Sequence, residues 1–303
     1  MTTKPESHTL DAPGATLAYD VRGELRDADE GRPVLLLIGS PMDAVGFTTL
    51  ASYLTDRVVV TYDPRGTGRS VRTDAEGAEG AEGELTPDRH AEDLRQLIEA
   101  LGVGAVDVFA SSGGAVNALA LVARHPGLVR TLVAHEPPAV RTVPDHEQAW
   151  AAVQGIHRTY QSQGMGPAMA KFIALTMQKG PLPDGYADAP GPDPADFGLP
   201  TEDDGSRDDA LLGQNLLGCC GYRPDFDALA AAPTRIVIAV GKESEGELAS
   251  RAGVAIAERL GTSPEVFPSH HGGFLGGEYG QHGEPEAFAT KLREVLTPSP
   301  SGV

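Results

Sequence analysis

Residues 105–123 read AVDVFASSGGAVNALALVA: an apolar run, an abrupt cluster of small residues, then apolar residues at helical spacing, with Ser112 where the pattern changes. A serine on a sharp strand-to-helix turn has its hydroxyl lifted clear of the sheet, and the next backbone N–H aims at the same point. The backbones of strand and helix nearly touch at such a turn, so the residues two before and two after it must be small; here they are Ala110 and Gly114. The pattern is G-x-S-x-G with alanine in place of the first glycine. The chemistry it offers is nucleophilic attack on an acyl carbon. That chemistry also needs a base to take the hydroxyl proton, an anion to orient the base, and N–H donors for the oxyanion. A tight packing turn would use the same small residues, so the partners must be sought elsewhere in the chain.

The elements that would position them are legible as alternation. Apolar, β-branched runs bounded by turn signals occur at Val34–Ile38, Val58–Tyr62, Val106–Phe109, Thr131–Ala134 and Ile236–Val240, and suit strands covered on both faces. Between them the spacing predicts helices, most clearly over Pro87–Leu101. There Thr86 is the N-cap, Pro87 the first helical residue and Gly102 the stop, with Ala91, Leu94, Ile98 and Leu101 on one stripe. This argues for a mainly parallel sheet with helices on both sides. His8–Leu10 and Thr16–Val21 read as an antiparallel pair at the edge of the sheet. From Arg141 to about Phe226 the alternation breaks into amphipathic stretches such as Ala149–Tyr160 and Pro167–Gln178, followed by a Pro-, Gly- and Asp-rich segment. The reading is a core of residues 1–140 and 227–298, a helical cap insertion at 141–226 and a disordered tail at 299–303. In the resumed alternation, helices are expected at Gly246–Leu260 and Pro285–Leu296.

Composition bounds the function. A chain of 303 residues suits one α/β domain with an insertion. Its net charge of −19, from 24 basic and 43 acidic residues, disfavours nucleic acid and anionic membranes as partners. The acidic repeat DAEGAEGAEGE at 74–84 reads as a solvated surface insertion. Without an apolar leader or a run of about 18 apolar residues, a cytoplasmic location is expected. Cys219 and Cys220 adjoin each other, which disfavours a disulfide, and no histidines accompany them to make a metal site. Gly66 and Gly68 lack the context of a nucleotide-binding turn, so neither cofactor nor metal is implied. Self-association of identical copies is compatible with the sequence and not required by it.

Four segments together resemble the α/β-hydrolase fold superfamily over nearly the whole chain. LLLIGSPM is similar to its oxyanion loop, TYDPRGTGRS to its D-x-R-G-x-G-x-S turn, FASSGGAVNAL to its nucleophile elbow, and FPSHHGGF to the loop carrying its histidine. The resemblance implies a mainly parallel eight-stranded sheet flanked by helices, with a helical cap. It makes Ser112 the nucleophile and His271 the base, His270 being the rival beside it. The oxyanion donors are the backbone N–H groups of Gly113 and Ser40. The family's usual G-x-x-D after the seventh strand is here Gly241, Lys242, Glu243, Ser244, with serine at the acid position. A subset of the fold takes its acid after the sixth strand, and VRTLVAHE at 129–136 resembles that arrangement, so Glu136 is the first choice of acid and Glu243 the second. Asp63 and Arg65 are structural in this family, and for His135 a structural place beside the sheet's edge is expected.

The function so implied is a cofactor-free serine hydrolase that cleaves an ester or lactone of a small, largely apolar substrate through an acyl-enzyme. Alternatives on the same residues are acyl transfer and C–C bond hydrolysis. In another class stands a ligand-binding protein that keeps the pocket without turnover. Dehalogenase and epoxide hydrolase chemistry are disfavoured, because those relatives attack with aspartate where Ser112 stands. Met165, Met169, Phe172, Met177, Leu211, Leu212, Leu216 and Leu217 serve either to line an apolar entrance or to pack the insertion itself.

Overall fold

The computed structural model describes residues 4–29, 31–73 and 85–297; the acidic repeat at 74–84 and the tail at 299–303 lie outside the described residues. Strands β1 (Glu6–Ala12) and β2 (Ala15–Arg22) form the expected antiparallel edge pair. The apolar runs become β3 (Leu35–Ile38) and β4 (Val59–Tyr62), followed by the two-residue β5 (Val71–Arg72), then β6 (Val106–Ser111), β7 (Val129–His135), β8 (Arg235–Gly241) and β9 (Glu265–Phe267). The order across the sheet is β1-β2-β4-β3-β6-β7-β8-β9, with β5 pairing β2 off this path. From β4 through β9 every pairing is parallel. Every residue of β3, β4 and β6 is buried, as strands covered on both faces must be.

Helices cover both faces. On one, α1 (Thr48–Tyr53) and the C-terminal α9 (Pro285–Leu296) pack Leu50, Phe288 and Leu292 against Leu35, Leu37 and Phe109. The opposite face carries α2 (Pro87–Leu101), α3 (Gly113–Arg124) and α8 (Leu248–Arg259), with Leu94, Ile98, Leu119 and Ile256 in one core. The Thr86 hydroxyl accepts the Arg89 N–H at 3.2 Å and Gly102 closes α2 at φ 65°. Between β7 and β8 the chain runs through α4 (His146–Gln163), α5 (Met165–Met177), a π-helical turn at Ala210–Asn215, α6 (Leu216–Gly221) and α7 (Phe226–Ala231). Val153, Ile156, Tyr160, Leu175, Leu212 and Leu216 of this segment form a core that also takes in Leu248 and Ala252 of α8.

Register brings the chemistry together. Ile38 pairs with Ala110, Ser111 with His135, and His135 with Ala239. The residues that follow, Ser40, Ser112, Glu136 and Gly241, therefore emerge side by side at the carboxyl edge of the sheet, where open α/β sheets bind ligands.

Candidate active site

The turn at Ser112 is tight enough to be strained. Ser112 has φ 56° and ψ −127°, a conformation L-residues rarely adopt, and it persists because the surroundings fix it. Its N–H donates to the His135 carbonyl at 2.9 Å, and its own carbonyl accepts the Ala115 N–H at 2.9 Å to start α3. Ser112 is partly accessible while Ser111, Gly113 and Gly114 are buried. A Cβ on Gly114 would stand 2.5 Å from the Ile38 carbonyl oxygen, and one on Gly113 2.4 Å from that of Ser40. These are the close backbone approaches that demanded small residues in the sequence.

Glu136 stands one residue beyond β7, at φ 47° and 1% exposed. One carboxylate oxygen accepts the Gly241 N–H at 2.8 Å; the other lies 2.5 Å from His271 Nδ1. With Nδ1–H donating to Glu136, Nε2 is the nitrogen left to take a proton. The structure brings Glu136 and His271 together and leaves Glu243 out: Glu243 is exposed, and its carboxylate has no hydrogen bond to His271 among the described residues. Ser244, at the position where the family's usual acid would stand, is fully buried. His270 points elsewhere, Nε2 on the His282 carbonyl and Nδ1 on the Gly272 N–H.

Burial disfavours the Glu136 anion, but the hydrogen bond and charge of His271, the neighbouring His135 and the Gly241 N–H outweigh it and hold the carboxyl well below its ordinary range. For His271, burial opposes the imidazolium, and the hydrogen bond and charge of Glu136, with Glu247 beyond, raise its pKa above the ordinary histidine value. Two-fifths of the His271 side chain stays accessible, which lightens that burial cost. His135, the last residue of β7, is fully buried among Phe109, Phe267, Phe274 and Phe288. Its ring stacks on that of His271 with centroids 6.0 Å apart, and its Nδ1 is 3.2 Å from Ser111 Oγ. Burial, against the pull of Glu136, lowers its pKa to about 4, so it is neutral at pH 7. Ser112 through its N–H on the His135 carbonyl, Glu136 as the next residue in the chain, and His271 through its stacked ring all adjoin His135.

Ser40 is buried, joined to Pro41 by a cis peptide bond, with its carbonyl against Gly113. Asp63 braces this loop: it accepts the Ala44 N–H at 3.0 Å and the Arg69 N–H at 2.8 Å. Arg65, 1% exposed, makes a two-point pair with Asp93 of α2 at 3.0 and 2.6 Å. Both serve the fold, as the sequence suggested. Two polar residues that sequence reasoning missed, Asn215 and His90, sit behind Ser40: Asn215 Oδ1 is 2.9 Å from His90 Nε2 and 3.4 Å from Ser40 Oγ. Contacts spanning 125 and 175 residues leave no local signal to find them by.

Of the apolar residues singled out in the insertion, Leu212 and Leu216 are in the core shared with α8, and Met165, Met169, Phe172 and Leu217 pack on that core. Met177 is 66% exposed. Both cysteines are free and buried. Among the described residues no helix is long and apolar enough to cross a membrane, and no group of three or more His, Cys, Asp or Glu residues could hold a metal ion. A cleft of about 720 Å³ opens between the β1–β2 edge and α1, lined in part by Arg22, Arg57 and Arg69, and contains none of Ser40, Ser112, Glu136 and His271.

With this fold and geometry the family can be stated. Residues 32–187 match the family model described as alpha/beta hydrolase fold, and the chain belongs to that family as a hydrolase. It is 29% identical over 281 residues to the uncharacterized hydrolase YraK of Bacillus subtilis (strain 168), covering 88% of this chain and 89% of that one. It is 37% identical over 119 residues to the 2-hydroxymuconate semialdehyde hydrolase of Pseudomonas putida, covering 38% of this chain and 40% of that one. Among solved structures it superposes on the enol-lactonase from Burkholderia xenovorans LB400 with a TM-score of 0.62 at 17% identity, over 96% of this chain and 100% of that one.

Proposed function

We propose that the chain is a serine hydrolase that cleaves an ester or lactone of a small, largely apolar molecule through an acyl-enzyme on Ser112. The observation that carries this reading is the 2.5 Å bond from His271 Nδ1 to the buried Glu136, the neighbour of His135, whose carbonyl accepts the N–H of a serine on a strained strand-to-helix turn. In the mechanism Ser112 Oγ attacks the carbonyl carbon as its proton passes to His271 Nε2. The N–H groups of Gly113 and Ser40 hold the oxyanion, and Glu136 remains an anion facing the imidazolium. Collapse returns the proton to the departing alkoxide. Water then gives a proton to His271, attacks the acyl carbon, and the acid leaves from a regenerated serine. Residues 141–226 serve in this reading as the cap that shapes the acyl pocket.

The partial likeness to 2-hydroxymuconate semialdehyde hydrolase favours a second reading, C–C bond hydrolysis by the same three residues. The test common to both, and decisive against a ligand-binding protein without turnover, is stoichiometric labelling of Ser112 by a fluorophosphonate. It is paired with loss of activated aryl-ester hydrolysis in Ser112→Ala by about 10⁴-fold or more. Wild-type rates in that variant would end the proposal.

A further inference from the structure

Asn215 closes the π-helical turn of the insertion, and its side chain turns inward: it is 1% exposed, although it belongs to the segment that packs over the sheet's carboxyl edge. Each of its polar atoms is engaged. Nδ2 donates to the Ala210 carbonyl at 2.7 Å, and Oδ1 faces two groups of the sheet domain, His90 Nε2 at 2.9 Å and Ser40 Oγ at 3.4 Å. π-Helical turns are rare and are found frequently at functional sites.

The helix that follows docks on the same place. Cys219, one turn beyond Asn215 and on the same face, puts its sulfur 3.2 Å from where a Gly113 Cβ would be. Gly218 lies so close to the Leu85 carbonyl that a Cβ there would come within 2.7 Å of it. Gly113 is thereby enclosed between the Ser40 carbonyl and α6. The two N–H donors assigned to the oxyanion belong to Gly113 and Ser40, and the insertion touches both.

We propose that Asn215 is a positioning residue for the oxyanion hole: anchored by His90, it holds the Ser40 loop from the insertion side, so that the placement of the insertion sets the placement of an oxyanion donor. The inference rests on the serine hydrolase reading above. The Ser40 hydroxyl, at 3.4 Å, makes the longer of the two contacts that Oδ1 accepts. Asn215 touches neither substrate nor reacting atoms; it acts through Ser40.

The test compares Asn215→Ala, Ser40→Ala and the double variant on 4-nitrophenyl acetate, with phenylboronic acid as an inhibitor whose tetrahedral adduct uses the oxyanion hole. Ser40→Ala keeps the backbone donor and removes only the hydroxyl that Asn215 contacts. Misplacing one donor is expected to cost less than deleting it, about 10- to 100-fold in kcat for Asn215→Ala with KM within about twofold. Boronate affinity should fall by a similar factor, and the double variant should be no worse than Asn215→Ala, since both remove one link. A residue that only stabilises the insertion would instead raise KM or leave kcat alone, and its loss would multiply with that of Ser40→Ala; either result overturns the inference. If Asn215→Ala does not fold, Ser40→Ala decides alone, a fall in kcat supporting the link and an unchanged kcat refuting it. Fluorophosphonate labelling of the wild type separates the two levels: no labelling at Ser112 fails the hydrolase reading, whereas normal labelling with unchanged variants fails only the role of Asn215.

Discussion

At the scale of single residues, the burden falls on Glu136. A buried carboxylate with one oxygen on a backbone N–H and the other on an imidazole cannot turn away from that ring, which fixes both the tautomer and the orientation of His271. The raised pKa of His271 has a definite consequence for rate. The base must be neutral to accept a proton, so kcat/KM should climb with pH through an apparent pKa above the ordinary histidine value. Glu136→Gln removes the charge that favours the imidazolium. Its acidic limb should move to lower pH while kcat falls by about 10⁴-fold, because the amide can select the wrong tautomer. Glu243→Gln, at an exposed position away from His271, should leave the profile within a factor of two of the wild type. Stopped assays from pH 5 to 9 on the three proteins check both, and a Glu243→Gln profile that matched the collapse expected of Glu136→Gln would reverse the assignment.

At the scale of elements, the site is a matter of how closely β6, α3 and the loop after β3 approach. Gly114→Ala introduces a Cβ 2.5 Å from the Ile38 carbonyl oxygen, which has no rotamer to escape into, so α3 and the end of β3 must part. Overpacking of this kind costs about 1–3 kcal/mol, and here it also displaces the Ser40 donor. The expected result is a melting temperature lower by a few degrees with activity lost by far more than that destabilisation implies; intact activity would mean that the elbow tolerates the gap. The same closeness explains what the sequence disclosed. β3, β4, β6, β7 and β8 were legible because strands buried on both faces must be continuous apolar runs, and α2 because Thr86, Pro87 and Gly102 mark its ends. Helix α1 and strand β9, of six and three residues, are too short to show a period. Ser112 was legible from the small residues its turn requires. Glu136 and His271 emerged only from resemblance, since nothing local to either residue reveals a bond across 135 positions. His135 is indistinguishable in sequence from any histidine at a strand end; only the four phenylalanines around it in space define its state.

At the scale of the whole molecule, that state ties the site to the stability of the fold. His135 has a folded pKa of about 4 because burial excludes its charge, whereas in the unfolded chain it titrates near 6.5. A depressed pKa stabilises the fold fully above the unfolded value, and the contribution is lost as pH falls from about 6.5 toward 4, where the unfolded state binds the extra proton. Complete loss corresponds to about 3 kcal/mol. His90, equally buried and lowered in the same direction by burial, adds to the trend. The net charge of −19 works the other way, since acidification relieves self-repulsion. Comparing the wild type with His135→Phe cancels that shared background, and a phenyl ring suits a cage already built of Phe109, Phe267, Phe274 and Phe288. Between pH 7 and pH 4.5 the melting temperature of His135→Phe should therefore fall several degrees less than that of the wild type, by calorimetry or circular dichroism. Parallel curves would mean that the imidazole takes up its proton inside the folded protein, and the neutral ring that Ser112, Glu136 and His271 adjoin would have to be abandoned.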